Sequence, residues 1–403
     1  MSISADNSSE RPRFGIEKPR HADNPSQLPF WAVHVVCLAA IWTGITWQSV
    51  AIAVAFYGLR IFGIGAGYHR YFSHKTFKTS RWFQFVLAFL AMTTAQKGVL
   101  WWAEKHRRHH KYSDQAEDIH SPLQKGFWEA HVGWIFRREY QISDYQLVAD
   151  LAKYPELVWL DRNPMVPPIA MGVAAYLIGG WPGLVVGFFW STVAVWHATF
   201  MINSLAHVHG KRRFVTGDDS RNNWFLAVLT MGEGWHNNHH AYQKSCRQGF
   251  RWWEWDPNYY AIKLLSFVGV VWDVHEPPKA LLAGDHVPGA AIIARTAALV
   301  AQSFQTDKLI AQAQAFVPEA QHALAEWSRA AAQGPHLAAD AARELAAKLA
   351  PSLEDVRQRA ARLVAQTPSM DEIVRQAHVL LTEALSAHLL AALPARAGKP
   401  AGA

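Results

Sequence analysis

Three short segments of the sequence are dense in histidine, and each lies directly after or near an apolar run. Their eight histidines are His69, His74, His106, His109, His110, His236, His239 and His240. Two segments share the spacing HxxHH, and helix positions i, i+3 and i+4 lie on one face, so we expect each to direct three imidazoles at one spot. Imidazole binds iron, copper, nickel and zinc, and eight rings exceed the roughly four to six ligands of one ion. The pattern therefore predicts two metal ions.

Four apolar runs form two pairs, which we interpret as two transmembrane hairpins. The runs are residues 29–47, 50–67, 164–178 and 184–202. The links between partners, Gln48-Ser49 and residues 179–183, carry no charge, whereas the outer flanks of the first pair are basic. The positive-inside rule then predicts a multi-pass protein with both termini and the histidine segments on the cytoplasmic side.

The segments outside these runs predict a cytosolic cap and two extensions. We interpret residues 1–28 as a flexible cytoplasmic tail and residues 82–102 as one helix lying in the membrane interface. Residues 29–280 then form an all-α membrane domain with four transmembrane helices and a cytosolic helical cap. Residues 281–403 are Ala-rich and amphipathic, and they predict a helical appendage of about four helices to which no motif assigns a role.

Composition supports the membrane interpretation. The 19 Trp and 20 Phe suit the aromatic belts of a membrane protein. The net charge of +7 does not indicate a nucleic-acid partner, because the basic residues are dispersed and no nucleic-acid motif is present. Anionic lipid or an anionic substrate head explains the charge better. Cys37 and Cys246 lack metal-ligand spacing. Because Cys37 lies in an apolar run, we expect no disulfide framework and a reducing compartment.

Several single residues near these features carry their own predictions. Thr199, Asn203 and His207 are spaced by four and share a helix face, which makes His207 a ninth candidate ligand. Arg60 interrupts the second apolar run, where a charge either faces the protein interior or extends to the interface.

Four further polar residues lie near the clusters in sequence. Surface positions are favoured for His120, His131, His197 and Asp118 over roles supporting the ligands.

Four stretches together resemble the membrane fatty acyl desaturases of the stearoyl-CoA desaturase type. They are Gly67–His74, Trp102 with His106–Ser113, Asn203–His207 and Gly232–His240. The resemblance covers roughly residues 29–280. It implies four transmembrane helices under a cytosolic cap, and two irons held by nine histidines, with an asparagine reaching one iron through water. By position the ligands are His69, His74, His106, His109, His110, His207, His236, His239 and His240, with Asn203.

The resemblance also implies the reaction, which is oxygen-dependent insertion of a cis double bond, at delta-9, into a saturated acyl chain. The chain methylenes are chemically alike, so a bent apolar tunnel must select the carbons. The expected tunnel residues are Gln96, Trp102, Thr199 and Phe200, with Phe200 where the family has tryptophan. Glu104-Lys105 replaces an Arg-Asp pair that engages coenzyme A, so the substrate is either acyl-CoA or acyl-lipid. The sequence has no fused cytochrome b5 motif, which implies a separate electron donor, ferredoxin-type or a flavin reductase.

Three alternatives use the same residues. A hydroxylase would insert oxygen at the carbon radical instead of removing a second hydrogen. A carboxylate-bridged di-iron protein would use Glu233 with His236, or Glu319 with His322, at Glu-x-x-His spacing. A membrane zinc or metal-binding protein would be of a different class, but zinc favours closed four-coordinate sites and nine histidines exceed that need.

Overall fold

The computed structural model describes residues 26–283 together with the isolated positions 292, 373, 375, 376 and 379. The predicted tail, except for residues 26–28, lies outside these residues. So does nearly all of the predicted appendage over residues 281–403. The architecture below is that of the described domain.

The described domain is almost entirely helical. Its α-helices are α1 Leu28–Val36, α2 Ala40–Thr43, α3 Trp47–Phe62, α4 Arg81–Met92, α5 Val99–Tyr112, α6 Pro122–Lys125, α7 Phe127–His131, α8 Ala149–Ala152, α9 Pro155–Arg162, α10 Val166–Pro182, α11 Ser191–Ser204, α12 Trp224–Leu229, α13 His236–Ala241, α14 Pro257–Phe267 and α15 Lys279–Ala283. Short 3-10 helices cover Cys37–Ala39, Gly133–Phe136, Arg138–Tyr140 and Leu205–His207, and π-helical stretches cover Gly63–Ser73 and Gly183–Trp190. Two short strands, β1 Lys78–Thr79 and β2 Val271–Trp272, pair antiparallel with Lys78 opposite Trp272.

Two continuous helices in the described part of the chain are long and apolar enough to cross a membrane, namely Trp47–Ser73 and Val166–His207. A shorter apolar helix, Leu28–Thr43, precedes the first and ends at Gly44, where φ is 78°. The Thr46 and Ser49 side chains then cap α3 reciprocally at its N-terminus. The predicted turn at Gln48-Ser49 is therefore wrong, because these residues form the first turn of α3.

The second long helix is not straight. Its 42 residues would extend about 63 Å at 1.5 Å per residue, roughly twice the hydrocarbon thickness of a bilayer. Gly180, with φ 60° and ψ −150°, breaks it into two legs. This confirms a break within the predicted link at residues 179–183, and glycine permits it because a Cβ would clash at that φ.

The segment predicted as one helix over residues 82–102 is two helices. α4 ends at Met92 and α5 begins at Val99, and Ala95 and Lys97 between them have φ of 56° and 68°. A left-handed backbone cannot continue a right-handed helix, so the chain changes direction before the HRRHH segment. The break gives α5 an orientation independent of α4.

Arg60 joins the two long helices. Its guanidinium is buried and donates to Thr192 Oγ1 at 2.6 Å, to Ser191 Oγ at 2.8 Å and to the Phe188 carbonyl at 3.3 Å. It also lies 4.9 Å from the centre of the Phe188 ring, at a cation–π distance. The interior position is confirmed and the interfacial alternative is wrong.

The main core lies where the π-helical stretch Gly63–Ser73 packs against α4 and α5. Phe72, Leu87, Met92 and Leu100 are fully buried there. Contact is close enough that a Cβ added to Gly63 would lie 3.0 Å from the Ala91 backbone nitrogen and Cα. This packing fixes the segment that carries His69.

Gly63→Ala is expected to destabilise the protein by about 1–3 kcal/mol, because backbone atoms of α4 must move to admit the methyl group. Gly58→Ala is the matched control, since Gly58 is also helical and has no atom within 4 Å of an added Cβ. Thermal midpoints in detergent measure both variants. Equal midpoints for Gly63→Ala and the wild type would contradict the close packing.

Candidate metal centre

The ring nitrogens of nine histidines gather in two groups, and within each group the ligand atoms lie within 4.8 Å of one another. The five-histidine group is His69, His74, His106, His110 and His239. The four-histidine group is His109, His207, His236 and His240. Every histidine of the three sequence segments belongs to one of them, and the additional candidate His207 belongs to the second.

The expectation that each HxxHH segment directs all its rings at one spot is wrong. α5 contributes His106 and His110 to the five-histidine group but His109 to the four-histidine group. α13 does the reverse, with only its middle histidine, His239, in the five-histidine group. Successive helix residues are rotated by about 100°, so i and i+4 lie about 40° apart while i+3 lies about 60° to the other side. Each helix therefore supplies both groups.

Distances within the groups suit shared metal ligation. His69 Nε2 lies 3.0 Å from His239 Nε2, and His106 Nε2 lies 2.9 Å from His74 Nε2 and 3.0 Å from His110 Nε2. Two nitrogens bound at right angles to one ion, each at about 2.1 Å, are separated by about 3.0 Å. The donor spacing therefore fits a metal ion.

The four-histidine group has the same spacing. His207 Nε2 lies 3.0 Å from His236 Nε2. His240 Nε2 is buried and has no hydrogen-bond partner within the described part of the chain. An unpartnered buried nitrogen is costly unless a ligand satisfies it, so this atom favours an ion in the group.

Burial also sets the charge state of these rings. It lowers the pKa of His106, His110 and His236 well below the ordinary value, and neighbouring imidazoles lower it further. The neutral ring is the form that binds a metal. These three rings, which come from both groups, are thus held in the ligand form near neutral pH.

Buried carboxylates orient four of the nine rings through the ring nitrogen that faces away from the other histidines of the group. His207 Nδ1 lies 2.9 Å from Asp114, and His109 Nδ1 lies 3.0 Å from Asp118. His240 Nδ1 lies 2.7 Å from Asp218, and His69 Nδ1 contacts Glu233. Such contacts fix the tautomer and ring direction and raise ligand basicity.

These carboxylates are kept ionised. Burial by itself raises the pKa of Glu233, but the Arg70 charge and the contacts with Arg70 and His69 bring it to about 2. Burial likewise opposes ionisation of Asp218, yet its His240 partner and the Ser220 hydroxyl hold its pKa well below the ordinary value. Each acid can therefore accept a hydrogen bond from its imidazole.

Both carboxylate oxygens of Glu233 are occupied by hydrogen bonds to neighbouring side chains. One carboxylate oxygen contacts His69, and the other accepts from Arg70 at 2.9 Å and from Asn258 at 3.1 Å. Arg70 in turn donates to Asp256 at 2.8 Å. This arrangement does not favour the alternative in which Glu233 bridges two irons with His236, and the other predicted pair, Glu319 with His322, lies outside the described residues.

Several supporting residues differ from the sequence expectation. Asp118, His120 and His131 are buried, so their predicted surface positions are wrong. No sequence motif predicted a role for Asp114 or Asp218. Asp114 and Asp118 could have been found from the sequence, because they lie shortly after the HRRHH segment. Asp218 has no such position in the sequence.

Two cavities adjoin the metal groups. The smaller, about 40 Å³, is lined by Asn203 together with His69, His106, His109 and His236, and so by rings of both groups. The larger, about 320 Å³, is mostly apolar and is also lined by His106 and Asn203. A long apolar ligand in the larger cavity would pass beside the histidines.

All four predicted tunnel residues line the larger cavity. Gln96 Nε2 lies 3.3 Å from Thr199 Oγ1 and joins the α4–α5 break to α11. Phe200 is buried beside them, and the Trp102 ring stacks on His106 with ring centres 4.9 Å apart. The structure therefore brings the predicted residues together at one wall.

The sequence model of the family described as "Fatty acid desaturase" matches residues 45–263, which is more than half of the 403 residues. The chain belongs to the fatty acid desaturase family. It is thus a fatty acyl desaturase, an oxidoreductase of the membrane type that the histidine segments predicted, and the predicted family is confirmed.

Relatives of this desaturase differ in carrier and bond position. The sn-2 palmitoyl-lipid 9-desaturase of Nostoc is 34% identical over 67% of this chain and 99% of its own length. The sn-1 stearoyl-lipid 9-desaturase of Synechocystis is 36% identical over 63% of this chain and 80% of its own length. The acyl-CoA 5-desaturase of Anemone leveillei is 37% identical over 61% of this chain and 78% of its own length. Acyl chains are their common substrate.

Asp218→Asn is expected to weaken metal binding at the four-histidine group by about 10–100-fold, because His240 loses the carboxylate that orients it. Metal content of protein equilibrated against a metal buffer measures the change. Asp273→Asn is the matched control, since Asp273 is an exposed acid paired with Lys78 at 2.7 Å. Unchanged affinity in Asp218→Asn would show that the carboxylate does not support the site.

Proposed function

We propose that this desaturase inserts a cis double bond at carbon 9 of a saturated acyl chain, with two iron ions and molecular oxygen. The observation that carries the proposal is the pair of imidazole groups beside a mostly apolar cavity that His106 and Asn203 also line. The nine histidines would ligate the irons, with Asn203 a ligand through water.

The donor set suits iron in a reaction with oxygen. The proposed ligand atoms are imidazole nitrogens, and carboxylates orient four of the rings by contacting the other ring nitrogen. Iron supplies oxygen activation strong enough to remove hydrogen from a methylene, which has no useful acidity for acid–base chemistry. The protein residues hold rings such as His106, His110 and His236 neutral, keep the site buried and would align the acyl chain. Five and four ligands leave coordination positions open in octahedral geometry, as oxygen binding requires.

The residues at the α4–α5 break and on α11 would select the carbons. Gln96 and Thr199 contact each other in one wall of the larger cavity, and Trp102 and Phe200 complete that wall. A chain held against this wall presents only certain carbons to His106 and Asn203. The two cyanobacterial relatives named as 9-desaturases support carbon 9, whereas the Anemone relative is named for carbon 5.

The acyl carrier is proposed to be either a membrane lipid or coenzyme A, as in the names of the relatives. Lys97 and Lys105 line the larger cavity, and because Lys105 Nζ is paired with Glu104 at 2.6 Å, Lys97 would supply the positive charge that meets an anionic head group. Two electrons per turnover would come from a separate donor protein, ferredoxin-type or a flavin reductase. We propose four membrane crossings, with the metal centre and both termini on the cytoplasmic side.

Gas chromatography of fatty acids from a desaturase-deficient host tests the reaction and the bond position together. Expression of the full chain is expected to yield monounsaturated acids with the double bond at carbon 9. The matched control is the same host expressing His239→Ala. Hydroxy acids without any olefin would instead support the hydroxylase, and an olefin at another carbon would overturn delta-9 alone.

His109→Ala, His207→Ala and His239→Ala are each expected to abolish desaturation while the protein still inserts into membranes. His109→Ala should also lower iron content from two toward one per chain, because α5 keeps His106 and His110 for the other group. Iron analysis beside the product assay measures this, with exposed His275→Ala as the control. Zinc alone in purified protein, or full activity in any of the three variants, would refute the di-iron assignment.

A further inference from the structure

Helix α14 presents an apolar face to its surroundings. Its exposed apolar side chains follow the spacing of one helix face, and they are Tyr260, Leu264, Phe267 and the adjoining Val268. Phe267 is 90% exposed. The opposite face holds the buried residues, which are Asn258, Tyr259 and Ile262. A helix bordered by water exposes polar residues on its outer side, so the outer face of α14 indicates an apolar neighbour.

Two neighbouring segments add exposed aromatic side chains to this face. They carry Trp224, Phe225 and Val228 on α12, and Trp252, Trp253 and Trp255 in residues 251–255. Asn258, near the start of α14, donates its backbone N–H to the Met231 carbonyl just after α12, at 3.1 Å. The end of α12 therefore adjoins the start of α14. We call the exposed residues of α12, α14 and residues 251–255 the aromatic surface.

The aromatic surface adjoins the long apolar helix Trp47–Ser73. The Tyr57 hydroxyl donates to the carbonyl of Leu229, the last residue of α12, at 2.8 Å. Tyr57 is ten residues after Trp47, or about 15 Å along the helix, whereas the hydrocarbon of a bilayer is about 30 Å thick. α12 thus ends alongside the apolar span and not beyond it.

The chemistry of the aromatic surface favours lipid as its neighbour. Tryptophan is enriched where a membrane protein meets the boundary between hydrocarbon and water, and four of the exposed residues of α12 and residues 251–255 are tryptophans. Arg251 and Lys263 are exposed beside these residues in the sequence. Long cationic side chains at such a boundary lay their stems along apolar surface and reach lipid phosphates.

We propose that the aromatic surface lies in the lipid of the membrane that the helix Trp47–Ser73 crosses. The proposal rests on the proposed crossing by that helix and not on the reaction. It makes this side of the cap a part of the membrane-embedded protein. The inner face of α14 supports the metal centre, since Asn258 donates to Glu233 at 3.1 Å and Glu233 contacts His69. The bilayer therefore holds in place an element that orients a ligand ring.

A fluorescent probe attached to Phe267→Cys tests the surface in the full-length protein. The protein is reconstituted in phosphatidylcholine nanodiscs with or without brominated acyl chains, with Cys37 replaced by alanine and the buried Cys246 left in place. Bromine quenches a probe in lipid, and iodide quenches a probe in water. Val54→Cys on α3 and Lys153→Cys after α8 are the lipid and water controls, since both residues are exposed. Bromine quenching at Phe267→Cys is expected to lie within about twofold of Val54→Cys and about threefold or more above Lys153→Cys.

Trp224→Cys on α12 is the second probe, and it decides the question if Phe267→Cys does not fold. Quenching by iodide but not by bromine would overturn the proposal, because the surface then lies in water. Protection from both quenchers would also overturn it, because another part of this chain or a second copy then covers the surface. A Val54→Cys probe that bromine does not quench would refute the proposed membrane crossing, and the lipid surface with it.

Discussion

The metal centre depends on hydrogen bonds between buried carboxylates and the outer nitrogens of the ligand rings. Asp114, Asp118, Asp218 and Glu233 each hold one imidazole in this way. Burial keeps most of the rings neutral, and ion pairing keeps acids such as Glu233 charged. A buried acid without these partners would become neutral, and its ring would lose its fixed direction. The ligand geometry is therefore a property of the whole cap.

The membrane helices and the metal centre share structural parts. The helix Trp47–Ser73 begins in an apolar segment and carries His69 of the five-histidine group in its last turns. The helix Val166–His207 ends with His207 of the four-histidine group. Arg60 connects the two helices by side-chain hydrogen bonds. Close packing of Gly63 against Ala91 fixes the first helix against α4. Displacing either helix would thus displace one half of the centre.

An apolar cavity lies beside the two groups of histidines. Phe200 and Trp102 help to form its wall, and His106 and Asn203 also line it. The acyl chain of the proposed substrate would need such a dry wall, and the same cavity would bring that chain next to the imidazole rings.

The sequence by itself determined the set of candidate ligands, the helical class and the apolar segments, because these depend on residue type and on local periodicity. Histidine spacing identified all nine rings, and an uncharged glycine-rich link located the break at Gly180. Relative position along one face also placed Thr199 and Asn203 together.

Tertiary structure alone decided how the rings are shared. His109 lies in a different group from His106 and His110, and His239 lies in a different group from His236 and His240. The reason is that successive helix residues are rotated by about 100° and each helix lies between the two groups. The acids that orient the rings, and the burial of His131 beside Ser204, involve residues up to 164 positions apart. The sequence also did not predict the break at residues 93–98. Ala95 and Lys97 have positive φ there, and neither is a glycine or proline that would have marked a break in the sequence. Contacts between distant segments have no periodic signal, and only the folded chain brings them together.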